Sequence, residues 1–141
     1  MTTAQKLKDA RAFRDMTQQA LSDVTGISVR LIQKYESGVR TPKDENLEKL
    51  ANALRISPKA LSEVAIGTYE DVMFMLFELE KEYGKITIEP MAGKAAICID
   101  NRTLTDMLFS WKQAKEERAA EDLREWEMTY PKEDTFQRKK Q

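Results

Sequence analysis

Apolar side chains in the first sixty residues are three or four positions apart, and this spacing predicts a series of short helices. A first helix is predicted over residues 4–14. Thr17 caps a second helix, because its hydroxyl can accept a backbone N–H of the first turn, and Gly26 ends it, because glycine readily adopts positive φ. The apolar positions that define these two helices are Leu7, Ala10, Phe13, Ala20, Leu21 and Val24.

A third helix follows the second after only a few residues. Ser28 caps this helix and Gly38 ends it. A fourth helix is predicted over residues 43–54, and a short fifth helix begins at Pro58, because proline suits the first position of a helix. Five such helices can bury one compact core. The second and third, joined by a short turn that contains glycine, have the signature of a helix-turn-helix.

The pattern changes after these five helices. Thr68 and Asp71 form a capping box before a helix that is apolar on several sides through its middle, which predicts burial on more than one side. The segments KITIEP and AAICID alternate apolar and polar residues, and the Met-Ala-Gly-Lys between them predicts a β-hairpin. Asp100 or Thr103 caps a further helix, and its apolar stripe continues towards Tyr130.

These elements divide the chain into three parts. Residues 1–65 are predicted to form a helical domain, and residues 68–130 a small α+β region built from a helix, a β-hairpin and further helices. Residues 131–141 are predicted to be a flexible tail. The fold class is therefore mainly α.

The amino-acid composition narrows the possible functions. The chain of 141 residues has no His and a single Cys, so it lacks both His-based nucleophile pairs and an internal disulfide. It also lacks an apolar run long enough to span a membrane and the apolar core of a signal peptide. We therefore predict a cytoplasmic protein that is not an enzyme, with no catalytic residue, no metal site, no cofactor and no membrane contact.

The charge is unevenly distributed along the chain. The formal net charge is −1, but residues 1–64 contain eleven Lys or Arg and eight Asp or Glu, a local charge of +3. Residues 65–141 contain the other twelve and sixteen, a charge of −4. Because salt screens charges beyond about 10 Å, the local field matters more than the total. The N-terminal part can therefore bind phosphate even though the whole chain is slightly acidic.

The segment TQQALSDVTGISVRLIQKYESGVRTP resembles the helix-turn-helix core of the phage-repressor and Cro (Xre) family, and the resemblance extends over residues 7–61. The resemblance implies a lambda-repressor-like five-helix domain that binds double-stranded DNA. It also implies a transcriptional regulator of the repressor type that acts as a homodimer. The matching positions are Gln18, Leu21, Gly26, Ile32, Tyr35, Glu36, Gly38 and Pro42, whereas Asp15 stands where the family often has Gly.

The resemblance places base recognition on the outer face of the third helix, residues 28–37. Arg30 can donate two parallel hydrogen bonds to guanine, Val29 can contact a thymine methyl, and Lys34 can donate to guanine or phosphate. The predicted base-contacting residues are Val29, Arg30, Gln33 and Lys34. The predicted phosphate-contacting residues are Gln18, Gln19, Ser28, Ser37, Arg40 and Lys43.

Two further expectations concern how the domain is held together and how it assembles. The resemblance implies a structural ion pair between Arg11 and Glu36, which ties the first helix to the end of the third. A single helix-turn-helix reads few base pairs, so two half-sites and a homodimer are expected. Self-association is assigned to residues 68–130, with Met73, Phe77, Trp111 and Trp126 as the predicted oligomerisation residues.

Other interpretations of residues 68–130 remain open. The apolar residues there can form the core of a second small domain, or a pocket for a ligand or protein partner, since Met adapts to irregular surfaces. The chain can therefore be a repressor, or an antitoxin-like interaction protein that binds a partner through residues 68–130 and its promoter through the helix-turn-helix. An enzyme with an accessory DNA-binding domain is disfavoured, because the sequence has no His and no glycine-rich loop that could hold phosphate. The carboxylates of residues 116–127 do not indicate a metal site, because the Lys and Arg interleaved with them favour a solvated helix face.

Overall fold

A computed structural model describes residues 1–131 of the chain, and it is mainly helical with one antiparallel hairpin, as predicted. The first five helices are α1 (Thr3–Phe13), α2 (Gln18–Thr25), α3 (Val29–Glu36), α4 (Asp44–Leu54) and α5 (Pro58–Leu61). The later elements are α6 (Tyr69–Tyr83), β1 (Ile86–Met91), β2 (Lys94–Ile99), α7 (Arg102–Glu117) and α8 (Ala120–Met128).

The described residues form two compact units. Unit 1 consists of residues 1–64 together with residues 120–131, and unit 2 consists of residues 65–119. The sequence assigns residues 68–130 to a single region, whereas in the structure α8 belongs to the same unit as the first five helices. The predicted flexible tail lies outside the described residues apart from its first position. Within residues 1–131, no helix is both long and apolar enough to cross a membrane.

The ends of α2 and α3 are formed by the residues that the sequence indicates. The Thr17 hydroxyl accepts the backbone N–H of Ala20 at 3.0 Å, and the Ser28 hydroxyl accepts that of Leu31 at 3.1 Å. Gly26 adopts the left-handed conformation with φ of 75°, and this allows α2 to stop and α3 to start three residues later. These caps fix the turn that orients α3 against α2.

The core of unit 1 lies where the five helices meet. The largest side chains that are fully buried there are Leu7, Leu21, Ile32, Leu50, Leu54 and Leu61. Tyr35 is also buried, and its hydroxyl accepts a hydrogen bond from the Asn46 amide at 2.9 Å. This bond satisfies the polar end of a core residue and ties α3 to α4.

Unit 2 begins with the capping box that the sequence predicts. The Thr68 hydroxyl accepts the Asp71 N–H at 3.1 Å, and the Asp71 carboxylate accepts the Thr68 N–H at 2.9 Å. The backbone N–H groups of Gly67 and Thr68 also lower the pKa of the Asp71 carboxyl. A hairpin follows α6, with Ile86 paired to Ile99 and Met91 to Lys94.

The cap of α7 differs from the prediction, which named Asp100 or Thr103. The backbone N–H of Asp100 donates to the Lys85 carbonyl at 3.0 Å, so this residue extends the strand pairing. The next residue, Asn101, therefore becomes the cap, and its amide oxygen accepts the Leu104 N–H at 2.9 Å. Its amide nitrogen also donates to the Tyr83 carbonyl at 2.6 Å, which ties the end of α6 to the start of α7.

Among residues 1–131, nothing buries the apolar middle of α6. The sequence predicts burial on more than one side, but no residue of α6 is buried. Met73 and Phe77 are 46% and 48% exposed. A two-stranded hairpin and one helix present too little surface to cover a helix that is apolar on several sides. The prediction that α6 is buried on more than one side is therefore wrong for the part of the chain that the structure describes.

Candidate nucleic-acid interface

Helix α3 has one buried face and one open face. Ile32 and Tyr35 lie on the buried face, in the core of unit 1. On the opposite face, Arg30 and Gln33 are exposed, and Lys34 is half-buried. This division follows from the helical repeat, because residues three or four positions apart lie on the same face of a helix. Ile32 and Tyr35 therefore share one face, and Arg30, Gln33 and Lys34 share the other. The fourth predicted base-contacting residue, Val29, is half-buried at the first position of α3.

The cations on the open face of α3 are available to a ligand. Within residues 1–131, neither the Arg30 guanidinium nor the Lys34 ammonium makes a hydrogen bond or an ion pair. A guanidinium with its five N–H donors unused can form a planar bidentate contact with two acceptors. The open face therefore has the chemistry to donate to base edges or phosphates.

The end of α3 is held by a network that begins on α1. The Arg11 Nε donates to Glu36 Oε1 at 2.6 Å, and Nη2 donates to Oε2 at 3.1 Å. The remaining Arg11 nitrogen donates to the Met16 carbonyl at 2.8 Å, and the Gln18 amide donates to Glu36 Oε2 at 2.9 Å. The structure thus contains the Arg11–Glu36 pair and adds Gln18, at the start of α2, to it.

This network shifts the ionisation of both charged groups. The hydrogen bonds with Glu36 raise the pKa of Arg11, against the opposing effect of its own burial. Burial by itself raises the pKa of Glu36, but the hydrogen bonds from Arg11 and Gln18 and the nearby positive charges outweigh it and lower the value. The pair therefore remains ionised at neutral pH, and it joins α1, α2 and α3.

The predicted phosphate-contacting residues have different surroundings. The Gln19 amide donates to the Asp23 carboxylate at 2.9 Å, and the Ser37 hydroxyl donates to the carbonyl three residues before it at 3.1 Å. Arg40 and Lys43 are exposed in the segment between α3 and α4. Ser37 and Arg40 also line one open polar cleft with the first residues of α1. The remaining two residues have the contacts already described: the Gln18 amide donates to Glu36, and the Ser28 hydroxyl caps α3.

A protein-family model matches the part of the chain that contains α2 and α3. The helix-turn-helix family model matches residues 7–61 of the chain. Residues 7–61 form a helix-turn-helix domain. This domain contains all of α2, the glycine turn, α3, α4 and α5, together with most of α1.

Curated proteins similar to part of this chain include two bacterial regulators. One is the cryptic phage CTXphi transcriptional repressor RstR of Vibrio cholerae, 42% identical over 57 residues, which cover 40% of this chain and 51% of the relative. Another is the uncharacterized HTH-type transcriptional regulator y4wC of Sinorhizobium fredii, 30% identical over 54 residues and 38% of each chain. The chain thus spans about half the length, or less, of these curated relatives.

A solved structure is also similar to part of the chain. It is the restriction-modification controller protein C.AhdI from Aeromonas hydrophila, which is 30% identical. The similarity covers 42% of this chain and 89% of that chain, with a TM-score of 0.41.

Sequence reasoning missed one group of contacts at the helix-turn-helix domain. Arg14 donates to the backbone carbonyls of Leu54 and Arg55 and to the carboxylate of Glu125 on α8. No local pattern predicts the last contact, because 111 positions separate the two residues.

The four predicted oligomerisation residues are divided between the units. Met73 and Phe77 lie on α6 and Trp111 lies on α7, all three in unit 2 and exposed. Trp126 lies on α8 in unit 1, where it is half-buried and its ring centroid is 5.0 Å from that of Tyr130. The structure therefore brings three of the four into the same unit.

Proposed function

We propose that this protein is a sequence-specific transcriptional repressor that reads operator DNA through the major groove with α3. The observation that carries the proposal is the open face of α3. This face carries the exposed Arg30 and Gln33 and the half-buried Lys34. The opposite face is buried in the core through Ile32 and Tyr35. A major groove admits one α-helix, and its base edges carry the acceptors that these side chains can recognise. The match of the helix-turn-helix family to residues 7–61 supports the same assignment.

In this proposal, side chains around α3 divide recognition between bases and phosphates. Arg30 donates to O6 and N7 of a guanine, and Val29 contacts a thymine methyl group. Gln18, Arg40 and Lys43 contact phosphates on either side and set the position of α3 along the duplex. Repression follows if the occupied site overlaps a promoter, because bound protein then excludes the polymerase.

The proposal is tested by binding to the promoter of the protein's own gene. Fluorescence anisotropy is measured for the full-length protein with promoter DNA and with a scrambled duplex of equal length, over a series of salt concentrations. We expect tighter binding to the promoter than to the scrambled duplex. For both duplexes the logarithm of the affinity should fall linearly with the logarithm of the salt concentration, because phosphate contacts release counterions. A protein that shows no salt-dependent binding to either duplex is not a DNA-binding regulator, and the proposal then fails.

We also propose that the protein is a homodimer that joins two half-sites, with unit 2 as the interface. Thirteen large apolar side chains of unit 2 are between 38% and 91% exposed. Together they present on the order of 1,000 Å² of apolar surface. A stable interface buries about 800 Å² on each partner. In this proposal a second copy covers part of this apolar area, because a two-fold dimer uses the same residues on both sides and mirrors the symmetry of two half-sites.

The α6 residue Phe77 offers a direct test of this interface. Its ring contacts that of Phe74 edge to face, with centroids 5.7 Å apart, and it lines a small apolar groove between α6 and the hairpin. We expect Phe77→Glu to weaken dimerisation at least about tenfold, because it loses apolar burial and places a charge in the interface. Sedimentation equilibrium of the full-length protein measures the change.

Val24→Glu serves as the matched control, because Val24 is also an exposed apolar residue but lies on α2. The control should leave the dimer intact. A wild-type protein that is monomeric at all concentrations contradicts the homodimer. If a companion protein then co-purifies through unit 2, the antitoxin-like alternative replaces it.

A further inference from the structure

The chain returns to the helix-turn-helix domain through α8, which is anchored on Arg14. Arg14 Nη1 donates to Glu125 Oε2 at 2.5 Å and Nη2 donates to Oε1 at 2.9 Å, a bidentate contact. The side chain of Arg14 is only 12% exposed, and its Nε also donates to the Leu54 carbonyl at 2.7 Å. A guanidinium this deeply placed depends on its carboxylate, because removing one partner of a buried pair leaves the other uncompensated.

Further contacts hold α8 along the same surface of unit 1. The side chain of Met128 packs against the core of the five helices, and its carbonyl accepts the backbone N–H of Ser57 at 2.9 Å. The guanidinium of Arg124 lies 4.7 Å from the centre of the Phe13 ring, within the range of a cation–π interaction. Helix α8 is therefore docked through charge, backbone and apolar contacts, at the ends of α1 and α4.

The last turn of α1 links α8 to the end of α3. Arg14 is the C-cap of α1, and Arg11 lies in the last turn of the same helix. Arg11 in turn holds Glu36, the last residue of α3, through two hydrogen bonds. Two ion pairs on the same end of α1, Arg14–Glu125 and Arg11–Glu36, therefore attach α8 and the end of the proposed recognition helix to one helical turn.

We propose that α8 is the sixth helix of the DNA-binding unit, and that Glu125 and Arg14 are positioning residues for DNA recognition. The proposal rests on the proposed function and extends it. Docked α8 holds the end of α1, and α1 holds α3 in the orientation that fits the groove. Docking and DNA binding therefore stabilise each other, and by linkage the effect is reciprocal: DNA also stabilises the docked helix.

Trp126 reports on the docked helix, because it lies next to Glu125 and is half-buried in unit 1. The chain has two Trp, so 5-fluorotryptophan labelling of the full-length protein yields two ¹⁹F resonances, and Trp126→Phe assigns one of them. The experiment compares Glu125→Gln with Glu127→Gln, which changes an exposed carboxylate of the same helix. Glu125→Asp retains the charge. All spectra and affinities are measured below the onset of unfolding for every variant.

For Glu125→Gln we expect the Trp126 resonance to move towards its position in the unfolded protein, and promoter DNA to move it back. Affinity should fall about fivefold to tenfold for promoter and scrambled duplexes alike, which is the lower end of typical coupling between sites. The salt dependence should not change, because no phosphate contact is lost. Glu127→Gln should match the wild type, and Glu125→Asp should lie between the wild type and Glu125→Gln.

Several results would overturn the proposal. An unchanged Trp126 resonance in Glu125→Gln shows that the pair does not hold α8. A shifted resonance with unchanged DNA affinity shows that docking and recognition are independent. An equal loss of affinity in Glu127→Gln shows a general effect of charge. Failure of the proposed function gives a different result from failure of this inference. In that case the wild type binds no DNA, while Glu125→Gln still moves the Trp126 resonance.

Discussion

Replacing Arg30 with Ala removes the preference for promoter DNA and leaves salt-dependent binding to any duplex. The Arg30 side chain lies on the open face of α3 and is unpaired within residues 1–131. A bidentate contact to guanine contributes about 1–3 kcal/mol of discrimination against the wrong base. The ratio of promoter to scrambled affinity should therefore fall about fivefold to a hundredfold, as measured by competition anisotropy at fixed salt.

Two controls separate base recognition from charge. Arg30→Lys retains the positive charge but not the planar pair of donors, so it should lose most of the preference with little loss of non-specific affinity. Lys59→Ala removes an exposed cation from α5, outside the proposed interface, and should retain the preference. If Arg30→Ala discriminates as well as the wild type, α3 does not read bases through this residue.

Replacing Glu36 with Gln destabilises the fold without changing any residue of the open face. The Glu36 side chain is 6% exposed and accepts hydrogen bonds from both Arg11 and Gln18. Loss of its charge leaves Arg11 without a counter-charge in a largely buried position, which costs about 3–5 kcal/mol of unfolding free energy. Urea unfolding followed by circular dichroism measures the change. Glu45→Gln, at a carboxylate that is 83% exposed, should stay within about 1 kcal/mol of the wild type.

The effect of Glu36 should also depend on pH. Its pKa in the folded protein lies below the ordinary value of 4.5, so the ionised form is stabilised by folding. The Glu36 carboxylate therefore contributes its full stabilisation of the folded state above the ordinary pKa, and this stabilisation is lost as the pH falls through the folded-state pKa. The difference in stability between wild type and Glu36→Gln should narrow on acidification below about pH 4.5. A difference that stays constant down to acid pH would show that the charge of Glu36 is not its source.

The helix-turn-helix domain was largely predictable because its signals are local. The Thr17 and Ser28 caps accept N–H groups only three positions away, and Gly26 meets a backbone requirement at its own position. The buried positions of α3 follow from the helical repeat alone. Such features depend on neighbours along the chain and not on where distant segments lie.

The cap of α7 shows where local reasoning becomes insufficient. Asp100, Asn101 and Thr103 are all suitable cap residues by type. The hairpin decides between them, because pairing of the Asp100 N–H with the Lys85 carbonyl extends the strand by one residue. A contact across the hairpin thus moves the start of the helix.

The position of α8 depended entirely on tertiary structure. The chain has 23 basic and 24 acidic residues, so charge alone does not pair Arg14 with Glu125 across 111 positions. Only the folded path of the chain brings α8 to the ends of α1 and α4, where the carbonyls of Leu54 and Arg55 orient the guanidinium. Local spacing and capping were therefore enough to define five helices and the open face of α3. Long-range packing alone decided that α8 joins them, because its contacts exist only once the intervening chain has folded.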